Sequence, residues 1–599
     1  MAAGGGWNMP EYARLLQETE QIQISKDKCK YMNNNYKKVP FKMYDYRCDI
    51  KLNVEKETFR AHRDVLAEAS DYFSAMFSHN MVEKEKDAIE LKGISPRGFR
   101  AMMDYFYHGH VTVEPANVED VLEAARFFHI EWLIAVCREF LVKRLSMDNY
   151  LWALQLADRY CLGDLHTDIF KFVAYNFSEL AVQPVFMELS YELLFALLSE
   201  DHYIDAPEGH IFKVVCRWLD SDAEQRKQYS ASLLTLIRYP LLDKEELESI
   251  SEVILEIPEV KECIDEAIKY NANPTKQCLL DSDNTHVRGS RDTLVLFSAV
   301  DDANMIQYKA PGCDGFFSQK VDTSFMQSVF EFASVSVLGD FLFVAGGYNR
   351  GTWCSSPAFY SYNPRNRLWA QLSSMKQPRV SFSLCSANQG LYAVTGIEHI
   401  VLDGIDREII LESVEFYDPM TNLWHFIPEL PIACFSAAAC VVDEKLYVSG
   451  GISADPEDTV PVSYHHVYIP KEQIWIPKSR MLTEHQGHGM ICHQNKLYVF
   501  GGYTAGEDTI SFVDCHKCEM YDIDLDQWTR IADSPKEYLH FSNSLTLQDD
   551  KVYILGGKAS LRTLHTYDPE TNDFTNVEVY GPDVQKIVRL KVALPLDLM

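Results

Sequence analysis

The sequence has no apolar run long enough to cross a membrane, and residues 1–30 lack the apolar core of a secretory signal. It is also short of positive charge, with 56 Lys and Arg against 87 Asp and Glu, a formal net charge of −31. A chain this acidic repels phosphate groups. We therefore expect neither nucleic acid nor a membrane among its partners.

The sequence also lacks the short motifs that place reactive groups in enzymes. It has no G-x-S-x-G, no Walker phosphate loop, no H-E-x-x-H and no dinucleotide glycine pattern. The repeats described below predict a propeller fold, on which a copper oxidase is conceivable, but no set of copper ligands stands out in the sequence. We expect no enzyme activity, no cofactor and no metal.

The 15 cysteines are odd in number and scattered, which suits a reducing compartment better than a disulfide framework. We expect a cytoplasmic protein, with the nucleus open as an alternative. Cys515 and Cys518 form one C-x-x-C pair without a second pair beside it. Loop and strand cysteines are the favoured interpretation; a zinc site or a redox-sensing thiol, its pKa lowered by His516 and Lys517, stays open.

An internal repeat organises the second half of the chain. A short apolar strand runs into glycine at 342–347 (LFVAGG), 391–396 (LYAVTG), 446–451 (LYVSGG), 497–502 (LYVFGG) and 552–557 (VYILGG). Each glycine is followed by an aromatic pair at one constant spacing, namely Tyr362/Trp369, Tyr417/Trp424, Tyr468/Trp475, Tyr521/Trp528 and Tyr567/Phe574. A pattern that recurs at such a nearly constant distance along the chain is typical of solenoids, propellers and other repeat folds.

Only one segment of the repeat varies much in length. The span from each tyrosine to the next closing glycine is nearly constant, whereas the span from glycine forward to its own tyrosine differs widely between repeats. That second span is shortest from Gly557 to Tyr567 and longest from Gly396 to Tyr417. A packed interior resists insertions and a surface loop tolerates them. The five variable loops should therefore share one face, the expected binding face.

These diglycine repeats with spaced Tyr and Trp resemble kelch repeats, each of which forms one four-stranded propeller blade. Five units are clear in 291–599, and 291–320 resembles a degenerate first blade. The run 587–592 can supply a strand that closes the ring onto that blade, so we expect six blades. The aromatic pairs should pack between neighbouring blades.

An α/β unit is predicted over 45–145, after an N-terminal extension over 1–44 that is basic and rich in Asn from 26 to 42. Residues 59–63 (FRAHR), 65–67 (VLA) and 72–77 (YFSAMF) resemble the BTB/POZ domain. That resemblance implies a homodimer formed by exchange of helices and strands. The extension departs from the short lead usual in such domains, and it is interpreted as a solvated arm or as a docking arm for an acidic surface.

An all-α region is predicted over 146–270, where leucines recur at helical spacing. Its runs 148–151 (DNYL) and 237–242 (IRYPLL) resemble the BACK domain. A polar linker is expected over 271–290 before the propeller at 291–599. The predicted fold class is thus multidomain, with an α/β BTB/POZ domain, an all-α BACK domain and an all-β six-bladed kelch propeller.

BTB adaptors that recruit cullin-3 carry a hydrophobic-x-Glu motif after the helix containing their Met-Phe pair. Here Met76-Phe77 is followed by Met81-Val82-Glu83, which matches. The resemblance implies a cullin-3 site at Phe77, Met81 and Glu83, completed by the early BACK helices. An ordinary exposed turn is the alternative.

The resemblance also implies a protein substrate held by loops on the propeller. The residues that stand 17 positions before each closing glycine should lie in corresponding connections between blades. We call them the connection positions. They are Phe330, Arg379, Cys434, His485 and His540. Tyr348 and Tyr503 directly follow diglycines. The predicted substrate-binding residues are therefore Tyr348, Arg379, Cys434, His485, Tyr503 and His540.

The function implied is that of a substrate adaptor of a cullin-3 RING ubiquitin ligase, a non-catalytic subunit that brings substrate and ligase together. The alternative is a cytoskeletal, actin-associated scaffold that uses the same dimer and propeller without ubiquitin transfer.

Overall fold

The computed structural model of the chain divides into two compact units, Met1–Asn176 and Phe177–Met599. The structure describes residues 22–25, 48–77, 86–108, 110–201, 203–280, 282–298, 305–309, 317–320, 329–331, 333–349, 352–402, 405–454, 459–506, 511–535, 544–558, 561–580 and 584–592.

The first unit combines a small sheet with helices. Its strands are β1 (Ile22–Ser25), β2 (Ile50–Val54), β3 (Glu57–Ala61), β4 (Ala88–Leu91) and β5 (His110–Val113). The central sheet has the order β3-β2-β4, with β2 antiparallel to β3 and parallel to β4, and β1 pairs with β5. The helices are Arg63–Ala69, Asp71–Met76, Pro96–His108, Val118–Phe127, Glu131–Lys143, Tyr150–Arg159 and Gly163–Tyr175.

Aromatic side chains form the core of this unit. Phe73 lies 5.1 Å from Phe128 and 6.0 Å from Phe106, measured between ring centroids. His62, from the FRAHR run, is buried and its backbone N–H donates to the Tyr107 hydroxyl at 2.8 Å. Of the residues that carry the BTB/POZ resemblance, Ala61, His62, Val65, Leu66 and Phe73 are buried and contribute to the interior of the unit.

Helices open the second unit, as the leucine periodicity predicts. They are Phe177–Leu180, Tyr191–Ser199, Glu208–Asp220, Ala223–Arg226, Ser230–Leu234, Lys244–Glu248, Glu252–Leu255 and Pro258–Asn271. Short 3-10 turns lie at Pro184–Glu188, Lys227–Tyr229, Tyr239–Leu241, Pro274–Leu279 and Asp283–Thr285. In the part of the chain that the structure describes, no helix is long and apolar enough to span a bilayer.

The segment expected to be a polar linker packs against these helices. Arg288 is buried and its guanidinium donates to Glu208 at 2.9 and 3.1 Å. It also donates to the carbonyls of Leu198 and Leu236, both at 2.6 Å. Polar composition predicted a linker here, but a buried arginine with a carboxylate and carbonyl partners is stable inside a protein.

In the residues that the structure describes, the rest of the unit contains six four-stranded antiparallel sheets and several smaller sheets in the loops. Five of the four-stranded sheets follow chain order, with the inner strand first. The first sheet consists of β10 (Ser334–Leu338), β11 (Phe341–Ala345), β13 (Phe359–Asn363) and β14 (Leu368–Gln371). The second consists of β15 (Ser383–Ala387), β16 (Gly390–Val394), β19 (Val414–Asp418) and β20 (Leu423–Ile427). The third sheet consists of β22 (Ala438–Val442), β23 (Lys445–Ser449), β26 (His465–Ile469) and β27 (Ile474–Pro477). The fourth consists of β28 (Gly489–His493), β29 (Lys496–Phe500), β32 (Glu519–Asp522) and β33 (Gln527–Arg530). The fifth consists of β34 (Leu545–Gln548), β35 (Lys551–Lys558), β36 (Leu561–Asp568) and β37 (Asp573–Tyr580).

The sixth sheet joins the two ends of the propeller sequence. Its order is β38-β6-β7-β8, from the strands Val584–Val592, Arg291–Ser298, Met305–Lys309 and Phe317–Lys320. The inner strands of successive sheets pack side by side from β10 to β34, and β38 contacts both β34 and β10. The predicted six-bladed ring, closed by the C-terminal strand, is confirmed.

The repeated aromatic pairs lie at equivalent places in five blades. In each blade the tyrosine and its aromatic partner are directly opposite each other on the third and fourth strands. The indole N–H of Trp424 donates to the Ser373 carbonyl of the preceding blade at 2.9 Å, and Trp528 does the same to Ser479 at 2.8 Å. These residues therefore pack between blades, as predicted.

Candidate functional site: the variable-loop face of the propeller

The variable loops lie beside the segments that connect one blade to the next. Short strands pair across the two: β12 (Tyr348–Asn349) with β9 (Val329–Glu331), and β24 (Ile452–Ala454) with β21 (Cys434–Phe435). Isolated bridges join Val380 to Ile397 and Gln486 to Tyr503 in the same way. Because the blades share one strand order, both kinds of segment lie on one face of the ring, as the loop lengths predict.

Arg379 lies at the base of this face and is fully buried. Its guanidinium donates to Glu415 Oε1 at 2.9 Å, to the Ser413 hydroxyl at 2.9 Å and to the carbonyls of Thr395 and Ser413 at 2.8 Å. Burial lowers the pKa of the guanidinium, and Glu415 opposes that effect. The side chain has no surface with which to contact a substrate in this structure.

Glu415 uses its carboxylate to hold the connection between two blades. Its oxygens accept the backbone N–H groups of Lys376 at 2.7 Å and Gln377 at 3.1 Å. The carbonyl of Arg379 in turn accepts the N–H of Gly347, in the preceding blade, at 3.0 Å. The arginine and glutamate therefore fix the geometry from which the loops project.

A related pair, His485 and Glu519, lies two blades later, but no hydrogen bond joins its two side chains. Both are fully buried, with His485 Nε2 3.7 Å from Glu519 Oε1. Glu519 accepts the backbone N–H of Leu482 at 2.8 Å, and the His485 carbonyl accepts the N–H of Gly451 at 2.8 Å. Burial alone lowers the pKa of His485, but Cys515 and Glu519 outweigh it and raise that pKa to about 9.

Cys434 occupies the corresponding position in the blade between them. The residue is 3 % exposed, and its carbonyl accepts the N–H of Gly396 at 3.3 Å. Burial raises the pKa of its thiol to about 12. The connection positions Arg379, Cys434 and His485 thus share a backbone role, and their side chains point into the protein.

Two of the other predicted substrate-binding residues are less buried than Arg379, Cys434 and His485. Tyr348 is half-buried, and its ring lies 5.7 Å from that of His399, while Tyr503 is half-buried opposite Asp514. His540 lies outside the described residues. Tyr348 and Tyr503 are therefore the predicted residues that this face presents to solvent, and their contact with a substrate stays a prediction.

Sequence reasoning missed Glu415 and Glu519, although a signal was present. Each stands just before the repeated tyrosine of its blade, Tyr417 or Tyr521, with one residue between them. In both of these blades the connection position is basic, Arg379 in one and His485 in the other. A positive and a negative residue at fixed places in a repeat indicate a buried pair that recurs with the repeat.

The C-x-x-C pair lies close to the second of these carboxylates. Cys515 and Cys518 are both buried. Burial raises the pKa of Cys518 to about 12, whereas for Cys515 the nearby His485 outweighs burial and lowers the thiol pKa. Within the ranges that the structure describes, no three His, Cys, Asp or Glu side chains are arranged to hold a metal ion.

The predicted cullin-3 site is described in part. Phe77 ends the helix Asp71–Met76, is half-buried, and stacks on Phe73 with ring centroids 5.8 Å apart. The guanidinium of Arg63 lies 5.7 Å from the centre of the Phe77 ring. Met81 and Glu83 lie outside the described residues, so their role stays a prediction.

An α/β unit with the FRAHR core, a helical region and a six-bladed propeller with Tyr/Trp repeats together define the BTB-BACK-kelch class of multidomain proteins. Models of four families match this chain. The BTB/POZ domain matches residues 41–145 and the "BTB And C-terminal Kelch" domain matches 150–252. The Kelch motif matches 331–376, and the KLHDC2/KLHL20/DRC7 Kelch-repeats domain matches 428–593.

Curated relatives match over most of their length. Kelch-like protein 36 of Mus musculus is 28 % identical over 566 residues, covering 90 % of this chain and 88 % of the relative. Kelch-like protein 26 of Homo sapiens is 30 % identical over 552 residues, covering 82 % and 87 %. Kelch-like protein 15 of Homo sapiens is 26 % identical over 560 residues, covering 88 % and 90 %. The chain belongs to the BTB-BACK-kelch family of kelch-like proteins.

Proposed function

We propose that this chain is the substrate-recognition adaptor of a cullin-3 RING ubiquitin ligase. The observation that carries the proposal is the motif Met81-Val82-Glu83, which follows Phe77 at the end of the helix Asp71–Met76 in the BTB unit. An apolar residue with a charge at its rim is the pattern of a groove-binding contact. The BTB and BACK regions would bind cullin-3, and the propeller would bind the protein to be ubiquitinated.

The adaptor would contribute proximity rather than chemistry. Holding a substrate beside a loaded ubiquitin-conjugating enzyme raises its effective concentration without a covalent step on the adaptor itself. We therefore infer a non-catalytic role, in the cytoplasm or in the nucleus. A homodimer formed through the BTB unit would present two propellers to one assembly.

The proposal is tested by cullin-3 pull-down with the full chain carrying Met81→Ala and Glu83→Ala together. We expect cullin-3 capture to fall at least tenfold, since an interface of this type depends on a few central residues. Glu68→Ala is the matched control, because Glu68 is an exposed acid on the nearby helix Arg63–Ala69. Full capture by the double variant would refute the cullin site. Co-sedimentation with actin filaments, unaffected by the same double variant, would favour the scaffold function instead.

Light scattering on the full chain tests the dimer. β1, which lies in the N-terminal extension, pairs with β5 of the BTB unit, and pairing of this kind is suited to exchange between two copies. We expect twice the chain mass of 68.8 kDa at micromolar concentration. A mass of one chain at every concentration would contradict the dimer while leaving the cullin test unaffected.

A further inference from the structure

The longest variable loop of the propeller forms a hairpin with exposed apolar residues. Its strands are β17 (Ile397–Leu402) and β18 (Ile405–Ile410). Ile405 is 59 % exposed, Ile409 is 47 % exposed and Val401 is 39 % exposed. Because side chains alternate along a strand, Ile405 and Ile409 lie on the same face of β18. Val401 pairs with Asp406 and therefore lies on the opposite face of the hairpin. Two exposed isoleucines on one face of an exposed hairpin are typical of an interaction site.

The outer edge of this hairpin is β18. On its inner side, β17 is held to the propeller: Ile397 bridges to Val380, and the His399 carbonyl accepts the Ser355 N–H at 2.9 Å. In the described part of the chain, β18 pairs with β17 alone. An exposed edge strand offers backbone donors and acceptors to an added strand.

Further contacts hold β17, the strand that pairs with β18, against the propeller. Besides the bond to Ser355, the His399 ring nitrogen Nδ1 lies 2.6 Å from the Trp353 carbonyl, and the ring packs edge-on against Tyr348. Holding the edge in position before binding reduces the entropy lost when a partner docks.

Acidic side chains occupy the other face of β18. Asp406 and Glu408 are exposed, and their neighbours on β17 are Val401 and His399. Arg407 stands between them in sequence and therefore lies on the face of Ile405 and Ile409. The exposed carboxylates of Asp406 and Glu408 give this face of β18 a negative charge, which favours basic side chains in a partner.

We propose that β18 is the docking edge for an extended segment of a partner protein in which basic and apolar residues alternate. The segment adds to β18 as a third strand. Its apolar side chains lie beside Ile405 and Ile409 on one face, and its Lys or Arg side chains lie beside Asp406 and Glu408 on the other. The inference rests on the proposed function, because it names the class of segment that the propeller of such an adaptor recognises.

Fluorescence polarisation on the full chain tests the inference, with a labelled alternating Lys-Val octapeptide as the probe. A peptide of four Lys followed by four Val serves as the control for charge and composition. We expect the alternating peptide to bind at least tenfold more tightly, since only alternation places charge on one face and apolar groups on the other. Failure of the alternating peptide to bind, or equal binding of both peptides, would overturn the proposal.

Two double variants locate the binding site. Asp406→Lys with Glu408→Lys, and Ile405→Ser with Ile409→Ser, each change exposed residues and should weaken the alternating peptide at least tenfold. Glu472→Lys is the matched control, since Glu472 is an exposed acid in the turn between β26 and β27 and should leave affinity unchanged. Unchanged affinity in both double variants would place the peptide elsewhere and refute the docking edge.

Hydrogen exchange identifies the occupant directly. Amides of Ile405–Ile410 should gain protection when the alternating peptide is added. Protection that instead appears on raising the protein concentration without peptide would identify a second copy of this chain as the occupant and overturn the proposal. The same variants should capture cullin-3 normally, so failure here is distinguishable from failure of the adaptor function.

Discussion

Arg379 and Glu415 form an ion pair in which neither side chain is exposed, with Nη2 2.9 Å from Oε1. Such a pair is held in place by surrounding hydrogen bonds, and removing one charge leaves the other without compensation. Here the carboxylate also accepts two backbone N–H groups of the connection between blades. The pair therefore stabilises the connection between two blades, beneath the face that carries the variable loops.

The first prediction concerns this pair. Glu415→Gln keeps the shape of the side chain but leaves the buried guanidinium uncompensated, so we expect it to destabilise the propeller by about 3–5 kcal/mol. Urea unfolding followed by tryptophan fluorescence measures the change. Glu412→Gln, at a nearby exposed acid, should change stability by less than about 0.5 kcal/mol. Equal stability of the two variants would contradict the structural role.

The second prediction concerns the pH dependence of stability. His465 is buried between Tyr521 and Trp528 of the next blade, with ring centroids 4.6 and 5.2 Å away, and burial lowers its pKa to about 3. The unfolded chain binds a proton at this residue near pH 6.5, whereas the folded chain does so only near 3. The contribution of His465 is therefore fully present above pH 6.5 and is lost progressively as the pH falls.

His465→Phe should remove this contribution while keeping the packing, because Phe359 has the equivalent place against Tyr417 at another blade interface, at 4.7 Å. Between pH 7.5 and 5.0 we expect the variant to lose about 2 kcal/mol less of its unfolding free energy than the wild type. His425→Phe, at an exposed position, is the control. Identical pH profiles for wild type and His465→Phe would rule out the buried neutral imidazole.

The third prediction tests the repeated glycines. Gly502 has φ +90°, and a Cβ atom there would lie 2.5 Å from the Gln486 carbonyl oxygen and 3.0 Å from His488. Gly502→Val should therefore lower the melting temperature of the propeller by several degrees or prevent folding, because backbone cannot yield as a flexible side chain can. At Gly163 a Cβ atom meets nothing within 4 Å, so Gly163→Ala should be tolerated. A wild-type melting curve for Gly502→Val would contradict the close approach.

The fourth prediction tests closure of the ring. Leu590 on β38 is fully buried in a core shared with Val295 and Leu342, which belong to two neighbouring blades. Leu590→Ala should destabilise the propeller by about 2–5 kcal/mol through the cavity it leaves. Arg589, the preceding residue, is exposed, and Arg589→Ala should cost less than about 0.5 kcal/mol. Limited proteolysis should also release residues 584–592 sooner in the leucine variant.

Much of the fold was predictable because its signals are local. The spacing of Tyr417 and Trp424 spans two adjacent antiparallel strands and their turn, so it specifies a cross-strand pair directly. The constant distance between repeats required constant packing, and the one variable distance required a surface loop.

The candidate site was harder to predict. Arg379 and His485 stand in the connections that the spacing indicated, but the carboxylates that pair with them come from the third strand of the blade that follows, far along the chain.

The amino-acid sequence by itself determined the order of the domains, the number of blades and the strand that closes them, because hydrophobic periodicity, glycine placement and repeat length act over short distances along the chain. Only the tertiary structure decided which residues of the loop face reach solvent. Exposure depends on which distant carboxylates and carbonyls fold against a side chain. Arg379 therefore became part of the interior, while Ile405 and Ile409 came to lie on an open strand at the surface.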